Sequence, residues 1–170
     1  MSKNLILYYS RTGENYVNGS IQKLSKGNTA YVATYIQEAI GGDLFPIETV
    51  DAYPNDYMAC IDQAKKEMNA HARPALVHYI DDISDYDNIF ICGPCWWGLF
   101  PMPIYSQLER LDFTNKNVYV VVTHEGSGMG NCERDLKKGL KGATFGPGLA
   151  IHGADAPKSA NQVKTWAKSL

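Results

Sequence analysis

The chain has no excess of positive charge and no long apolar run. Its 16 Lys and Arg face 18 Asp and Glu, a net charge of −2 at a pI near 6.1. That balance offers no polyanion-binding surface, so nucleic acid is excluded as an expected partner. No stretch approaches the roughly 20 apolar residues that a bilayer span needs, and Met1-Ser2-Lys3-Asn4 lacks a signal-peptide layout. Asn18-Gly19-Ser20 is a formal glycosylation sequon, but nothing points to the secretory route that would use it. Cysteine is sparse: Cys60, Cys92, Cys95 and Cys132 make no disulfide framework for a chain of 170 residues. The expectation is a cytoplasmic protein without membrane association. Chemistry-bearing signatures are missing too. There is no Walker loop and no Gly-x-Ser-x-Gly elbow. The four histidines (His71, His78, His124 and His152) and the cysteines show no metal-ligand spacing.

What is present is a 45% hydrophobic chain, long enough for one domain over residues 1–170 with a full core. Short apolar runs alternate with helical patterns. Leu5 to Tyr9, Leu44 to Ile47, Asn88 to Cys92, Val118 to Val122 and Leu149 to Ile151 read as strands. Helices are expected from Thr29 to Ile40, Asp56 to Asn69, Ile104 to Leu111 and Asn131 to Leu140. A last helix is opened by Ser159 and Gln162 at capping-box spacing, with Val163, Trp166, Ala167 and Leu170 on one face. The fourth strand is apolar at every position, as expected of a parallel strand buried on both faces. Strands alternating with helices argue for a doubly wound, three-layer α/β sandwich. Ligands of such folds sit beyond the carboxyl ends of the strands, so the loops after strands one, three and four are the candidates.

The first loop, Ser10-Arg11-Thr12-Gly13, offers hydroxyls and free backbone N–H groups before a helix, which suits a phosphate or an ordinary polar turn. Between Gly13 and Asn28-Thr29 lies a detour, Glu14 to Gly27, in which Asn18-Gly19 marks a tight hairpin whose aromatics would rim a site. In the third loop, Gly93 to Pro103, Trp96 and Trp97 are adjacent between glycines and prolines. Such a pair at the surface calls for a flat apolar cover, as a stacked planar cofactor would give. Cys92-Gly93-Pro94-Cys95 spells a dithiol motif, though Trp96 to Pro101 is a poor start for the helix that would activate it. The fourth loop, Thr123 to Asn131, is glycine-rich and lets a backbone approach a flat ligand closely. His124 beside Glu125 reads as an acid/base pair or as loop hydrogen bonding. Tyr53, Tyr57 and Met58 read as packing residues.

In this order and spacing the loops resemble the flavodoxin family over nearly the whole chain. The resemblance rests on Tyr9 to Gly13, Gly41 to Phe45, Tyr53-Pro54, Ser84 to Asp87, Gly93-Pro94 with Trp96-Trp97-Gly98, Pro101 and Pro103, and Thr123 to Gly128. It implies FMN as the cofactor and a five-stranded parallel sheet in the order 2-1-3-4-5. The phosphate would lie on Ser10, Arg11, Thr12 and Gly13. Because of the detour, Asn15 competes with Asn28 and Thr29 for the family's Asn-Thr position. The ring would lie between Pro94, Cys95, Trp96, Trp97 and Gly98 on one side and Thr123, His124, Glu125, Gly126, Ser127 and Gly128 on the other. No catalytic side chain and no metal are implied, since the flavin carries the chemistry.

Two roles follow: an electron carrier docking with a redox partner protein, or a small reductase passing electrons from NAD(P)H to a small-molecule acceptor. Carriers of the family are often strongly acidic, and −2 is not. Beside them stand a thiol–disulfide protein using Cys92 and Cys95 and a non-catalytic FMN-binding regulator. Oligomeric state is left open.

Overall fold

In the computed structural model, which describes residues 3–170, the apolar runs serve two cores at once. Side chains alternate along a strand, so a strand covered on both faces must be apolar throughout. Leu5 and Leu7 of β1 (Asn4–Tyr8), Ile89 and Ile91 of β5 (Asn88–Pro94), and Val118, Val120 and Val122 of β6 (Asn117–His124) fill one core. Their neighbours Ile6, Phe90, Cys92 and Val121 fill the other. The first core is closed by Ile104 and Leu108 of α3 (Met102–Leu108) and Leu136 of α4 (Cys132–Gly139). The second is closed by Val32, Ala33 and Ile36 of α1 (Asn28–Ile40) and by Val163 and Ala167 of α5 (Ala160–Lys168). The remaining helix, α2 (Tyr57–Asn69), starts on Asp56, whose carboxylate accepts the Ala59 N–H at 2.8 Å.

The main sheet runs β4-β1-β5-β6-β7, with β4 at Asp43–Pro46, and every pairing in it is parallel. This matches the expected order 2-1-3-4-5 except at the last position, which is split. There β7 (Thr144–Phe145) and β8 (Leu149–His152) pair with opposite ends of β6, giving a 6-stranded sheet where five strands were expected. A two-residue strand is too short to show periodicity in the sequence.

Three other expectations need correction. Ser159 and Gln162 form no capping box, because the Ser159 hydroxyl donates to the Ala156 carbonyl at 2.7 Å. It is drawn there by the 3-10 segment Gly153–Lys158 that precedes the helix. Leu170 stays exposed rather than joining the face of Val163 and Ala167. The third helix begins at Met102 and ends at Leu108, with a proline in its first turn, where a missing N–H is harmless.

The detour is an antiparallel hairpin, β2 (Gly13–Val17) and β3 (Ser20–Leu24), separate from the main sheet. Asn18 and Gly19 have φ of 52° and 91°, as a two-residue turn with both central residues left-handed requires.

Candidate functional site

The carboxyl ends of β1, β5 and β6 meet the start of α1 in one trough. The helix begins unusually, because its N-cap is Gly27, which has no side chain to cap with. The cap comes from β1's loop instead: Ser10 Oγ accepts the Ala30 N–H at 3.1 Å. Gly27 must be glycine for closeness, since a Cβ there would stand 2.0 Å from Ser10 Oγ and 2.7 Å from the Arg11 carbonyl oxygen. Asn28 and Thr29, the next two residues, line the trough. Thr29 Oγ1 and Thr123 Oγ1 lie 2.8 Å apart in a buried hydrogen bond that ties the helix start to the end of β6. A helix N-terminus held against a polar loop is an anion site by geometry and dipole.

Arg11 faces three carbonyls. It donates from Nε to Glu14 at 2.8 Å and from a terminal nitrogen to Pro54 at 2.8 Å and Asn55 at 3.0 Å. Its charge therefore staples the loop, the hairpin and the segment before α2, while still lining the trough.

The two tryptophans divide the work that the sequence assigns to a cofactor. Trp96 packs edge-on against Tyr9 and Tyr53, both at 5.3 Å between centroids, so protein aromatics cover much of it. Trp97 points out at 46% exposure, held by its indole N–H on the Ile61 carbonyl at 2.9 Å and by Lys65 over its ring. Between Trp96 and Leu99 the chain makes a tight turn, with Trp97 and Gly98 at φ 55° and 86°.

On the far side, His124 Nδ1 accepts the Gly126 N–H at 2.9 Å, so its ring shapes the loop. Burial, and then His152 at 5.7 Å, hold its pKa below the ordinary value, with Glu125 opposing them. Glu125 accepts the Asn18 N–H at 2.9 Å, which pins the hairpin tip to the β6 loop. Tyr16 of the hairpin lies against Tyr57 at 5.9 Å, and Glu14 caps the Tyr57 N–H at 3.0 Å. The hairpin thus bridges the rim of the trough, as expected of its aromatics.

The Cys92-Gly93-Pro94-Cys95 motif is not a dithiol. Cys92 to Pro94 end β5 in extended form and Cys95 follows it, so three residues at about 3.3 Å each separate the two sulfurs' backbones. Cys92 is fully buried in the core under α1, and burial raises its pKa strongly. Cys95 lies beside the opposite core. Cys132, at the start of α4, is buried, and its thiol donates to the Gly98 carbonyl at 3.9 Å.

The structure brings Arg11, Asn15, Asn28, Thr29, Pro94, Cys95, Trp96, Thr123, His124 and Glu125 to one pocket of about 150 Å³. A second pocket of about 220 Å³ adjoins it, sharing Arg11, Asn15, Tyr57, Cys95 and Trp96 and adding Trp97. Asn15 and the pair Asn28-Thr29 both reach the trough, Asn15 donating to the Arg11 carbonyl at 2.9 Å. Ser10 sits beneath the pocket as the cap of α1. Thr12, Gly13, Gly98, Gly126, Ser127 and Gly128 do not line it. Gly13 turns into the hairpin, and the three loop residues beyond Glu125 lead away toward α4. The sequence reading missed Tyr57 and Gly153 as lining residues, whereas Tyr16 lines the pocket as the aromatic of the hairpin. Tyr57 stands at a helix start, across from the hairpin, where no sequence signal separates a lining residue from a packing one. A larger groove of about 590 Å³ between α3 and α4 includes no loop from these strand ends.

The flavodoxin family model matches residues 21–170. A crystal structure from Bacteroides uniformis, described as a flavoprotein, is similar at 30% identity and TM-score 0.79, covering 98% of each chain. A second so described, from Bacteroides eggerthii, has 28% identity and TM-score 0.78 over 100% of this chain and 98% of its own. A Lactobacillus acidophilus flavoprotein in complex with FMN has the same fold, at 23% identity and TM-score 0.66 over 93% of this chain and 98% of its own. No curated protein matches the chain.

Proposed function

Because the chain belongs to the flavodoxin family, we propose that it binds one FMN in this trough and works as a small reductase. It would take two electrons from NAD(P)H and pass them to a small-molecule acceptor such as a quinone. The residues suit the cofactor. The α1 N-terminus with Asn28 and Thr29, capped from beneath by Ser10, fits a phosphate, and the Gly27 approach keeps the loop close enough to the helix. Trp96, Tyr16 and Tyr57 give flat apolar walls, and Pro94 and Thr123 bring β5 and β6 to the floor. Bound there, FMN supplies the redox chemistry, while the protein orients it and sets its surroundings. The four free cysteines fit a reducing, cytoplasmic compartment. Among the described residues no helix is long and apolar enough to cross a membrane.

The hairpin carries the choice of a reductase over a carrier. A carrier needs an open flavin edge for a protein partner, whereas here a bridged rim from Asn18 to Glu125 shapes a pocket. Purified protein loaded with FMN should oxidise NAD(P)H steadily in the presence of a quinone. Retained FMN without turnover over several acceptors would support the carrier instead. Replacing residues 14–26 by a short Gly-Ser bridge is expected to leave the sheet intact, because β2 and β3 pair only with each other. The same variant should shift KM for the acceptor several-fold, read from initial rates across an acceptor series. Unchanged KM values would remove the hairpin from the site.

A further inference from the structure

We propose that the pocket of about 220 Å³ beside the trough is an acceptor site for aromatic acids. Trp97 is its flat wall, and Arg11 binds the acid group of a planar quinone that carries a carboxylate or sulfonate. The acceptor role rests on the reductase reading above; the preference for an aromatic acid does not. No residue of α1 or of the loop after β6 lines this pocket, so the helix start that fits a phosphate lies outside it. The two pockets share Arg11, Tyr57 and Trp96, so a molecule in one lies against a molecule in the other.

Tyr57, Trp96 and Trp97, with Ile61 and Ala64 of α2, make the pocket flat and mostly apolar. Trp97 is fixed in place although it is exposed. Its left-handed backbone, at φ 55°, is one that bulky residues rarely adopt. The turn that imposes it is held by the Trp96 N–H on the Leu99 carbonyl and by the Asn131 N–H on the Gly98 carbonyl, both at 2.7 Å. The indole N–H on the Ile61 carbonyl then ties the ring to α2. A tryptophan so held, and still 46% exposed, keeps ring surface for a planar ligand.

Arg11 is the only charged residue in the lining, and no carboxylate shares it. Its three hydrogen bonds go to carbonyls, from Nε and one terminal nitrogen. Among the described residues its other terminal nitrogen has no partner, and no ion pair includes Arg11. A second cation, Lys65, stands 4.6 Å from the centre of the Trp97 ring. An arginine with an unused donor and an uncompensated charge, in a pocket otherwise uncharged, selects an anion. The aromatic walls restrict that anion to a flat ring. In turnover NAD(P)H gives a hydride equivalent and solvent a proton, so the quinone leaves as a hydroquinone with its acid group unchanged.

Calorimetric titration of the purified full chain in the presence of FMN compares 2-naphthoate with 2-naphthamide, and reads the pocket whether or not FMN is retained. The acid should bind about tenfold or more tightly than the amide. Arg11→Gln should bring the two to equal affinity, whereas a merely loosened loop would weaken both alike. Ala64→Leu, which fills the pocket from α2, should weaken both ligands. Equal affinities in the wild type, a preference that survives Arg11→Gln, or undiminished binding to Ala64→Leu would each overturn the site. Initial rates of the FMN-loaded protein with 1,4-naphthoquinone and its 2-sulfonate test the acceptor role. A KM about tenfold lower for the sulfonate supports it, and turnover of both at equal KM overturns this inference alone. Selective binding of 2-naphthoate without turnover of either quinone supports the aromatic-acid site and overturns the reductase reading.

Discussion

Replacing Gly27 by alanine lowers FMN affinity by about two orders of magnitude while the protein stays folded. Gly27 has φ −69° and ψ 153°, a conformation open to any residue, so the substitution adds no backbone strain of its own. The effect comes from crowding alone. The new Cβ would lie 2.0 Å from Ser10 Oγ, 2.7 Å from Arg11 O and 2.9 Å from Arg11 N. A hydroxyl can rotate away, but the Arg11 backbone cannot move without opening the loop from the start of α1. Arg11 is also held on Pro54 and Asn55, so the loop has no easy direction in which to yield. Losing one charge-assisted hydrogen bond to a phosphate, at about 1.5–3 kcal/mol, corresponds to roughly 10- to 150-fold in Kd. Titration of FMN by quenching of its fluorescence gives the number, and far-UV circular dichroism checks the fold. Wild-type affinity in the variant would place the phosphate elsewhere.

Replacing Phe90 by alanine removes more stability than any surface change, by about 3–5 kcal/mol. Phe90 lies in the middle of β5 at 1% exposure, within the core under α1 and α5. It stacks on Tyr119 at 5.0 Å and meets the edge of Trp166 at 6.0 Å, so the residual cavity is lined by rings that cannot collapse into it. For a domain of this size the melting temperature should fall by roughly 10 °C or more. Urea unfolding with an unchanged slope would confirm that the loss is in the folded state. A loss below about 1 kcal/mol would mean that the site relaxes fully.

The strands of the inner sheet were legible because both of their faces are buried. Val118 to Val122 had to be apolar at every step, and in the structure those side chains divide between the two cores. The Asn18-Gly19 hairpin was legible for an equally local reason, since few residues tolerate two left-handed positions in succession. The split last position of the sheet was not, because Thr144–Phe145 takes its strand character from β6 alone. Nor was the failure of the Ser159 cap. The hydroxyl could accept a helix N–H or donate to the Ala156 carbonyl, and the 3-10 segment that places that carbonyl is held by packing.

For the site, local chemistry identified the loops but not the roles of individual residues. Ser10 and Trp96 could be named from their loops, and Thr29 and Thr123 from the family resemblance. That Ser10 caps α1 and that Arg11 holds three carbonyls depends on partners up to 44 residues away. The cysteines show the difference most clearly. Sequence proximity suggested Cys92 with Cys95, but strand alternation sends them to opposite sides of the sheet. Periodicity and turn chemistry are properties of neighbours along the chain, and they carried the architecture and the location of the site. Which side chain meets which across the trough depends on the register of β5 against β6 and on where the hairpin lands, and those are set by packing between distant segments.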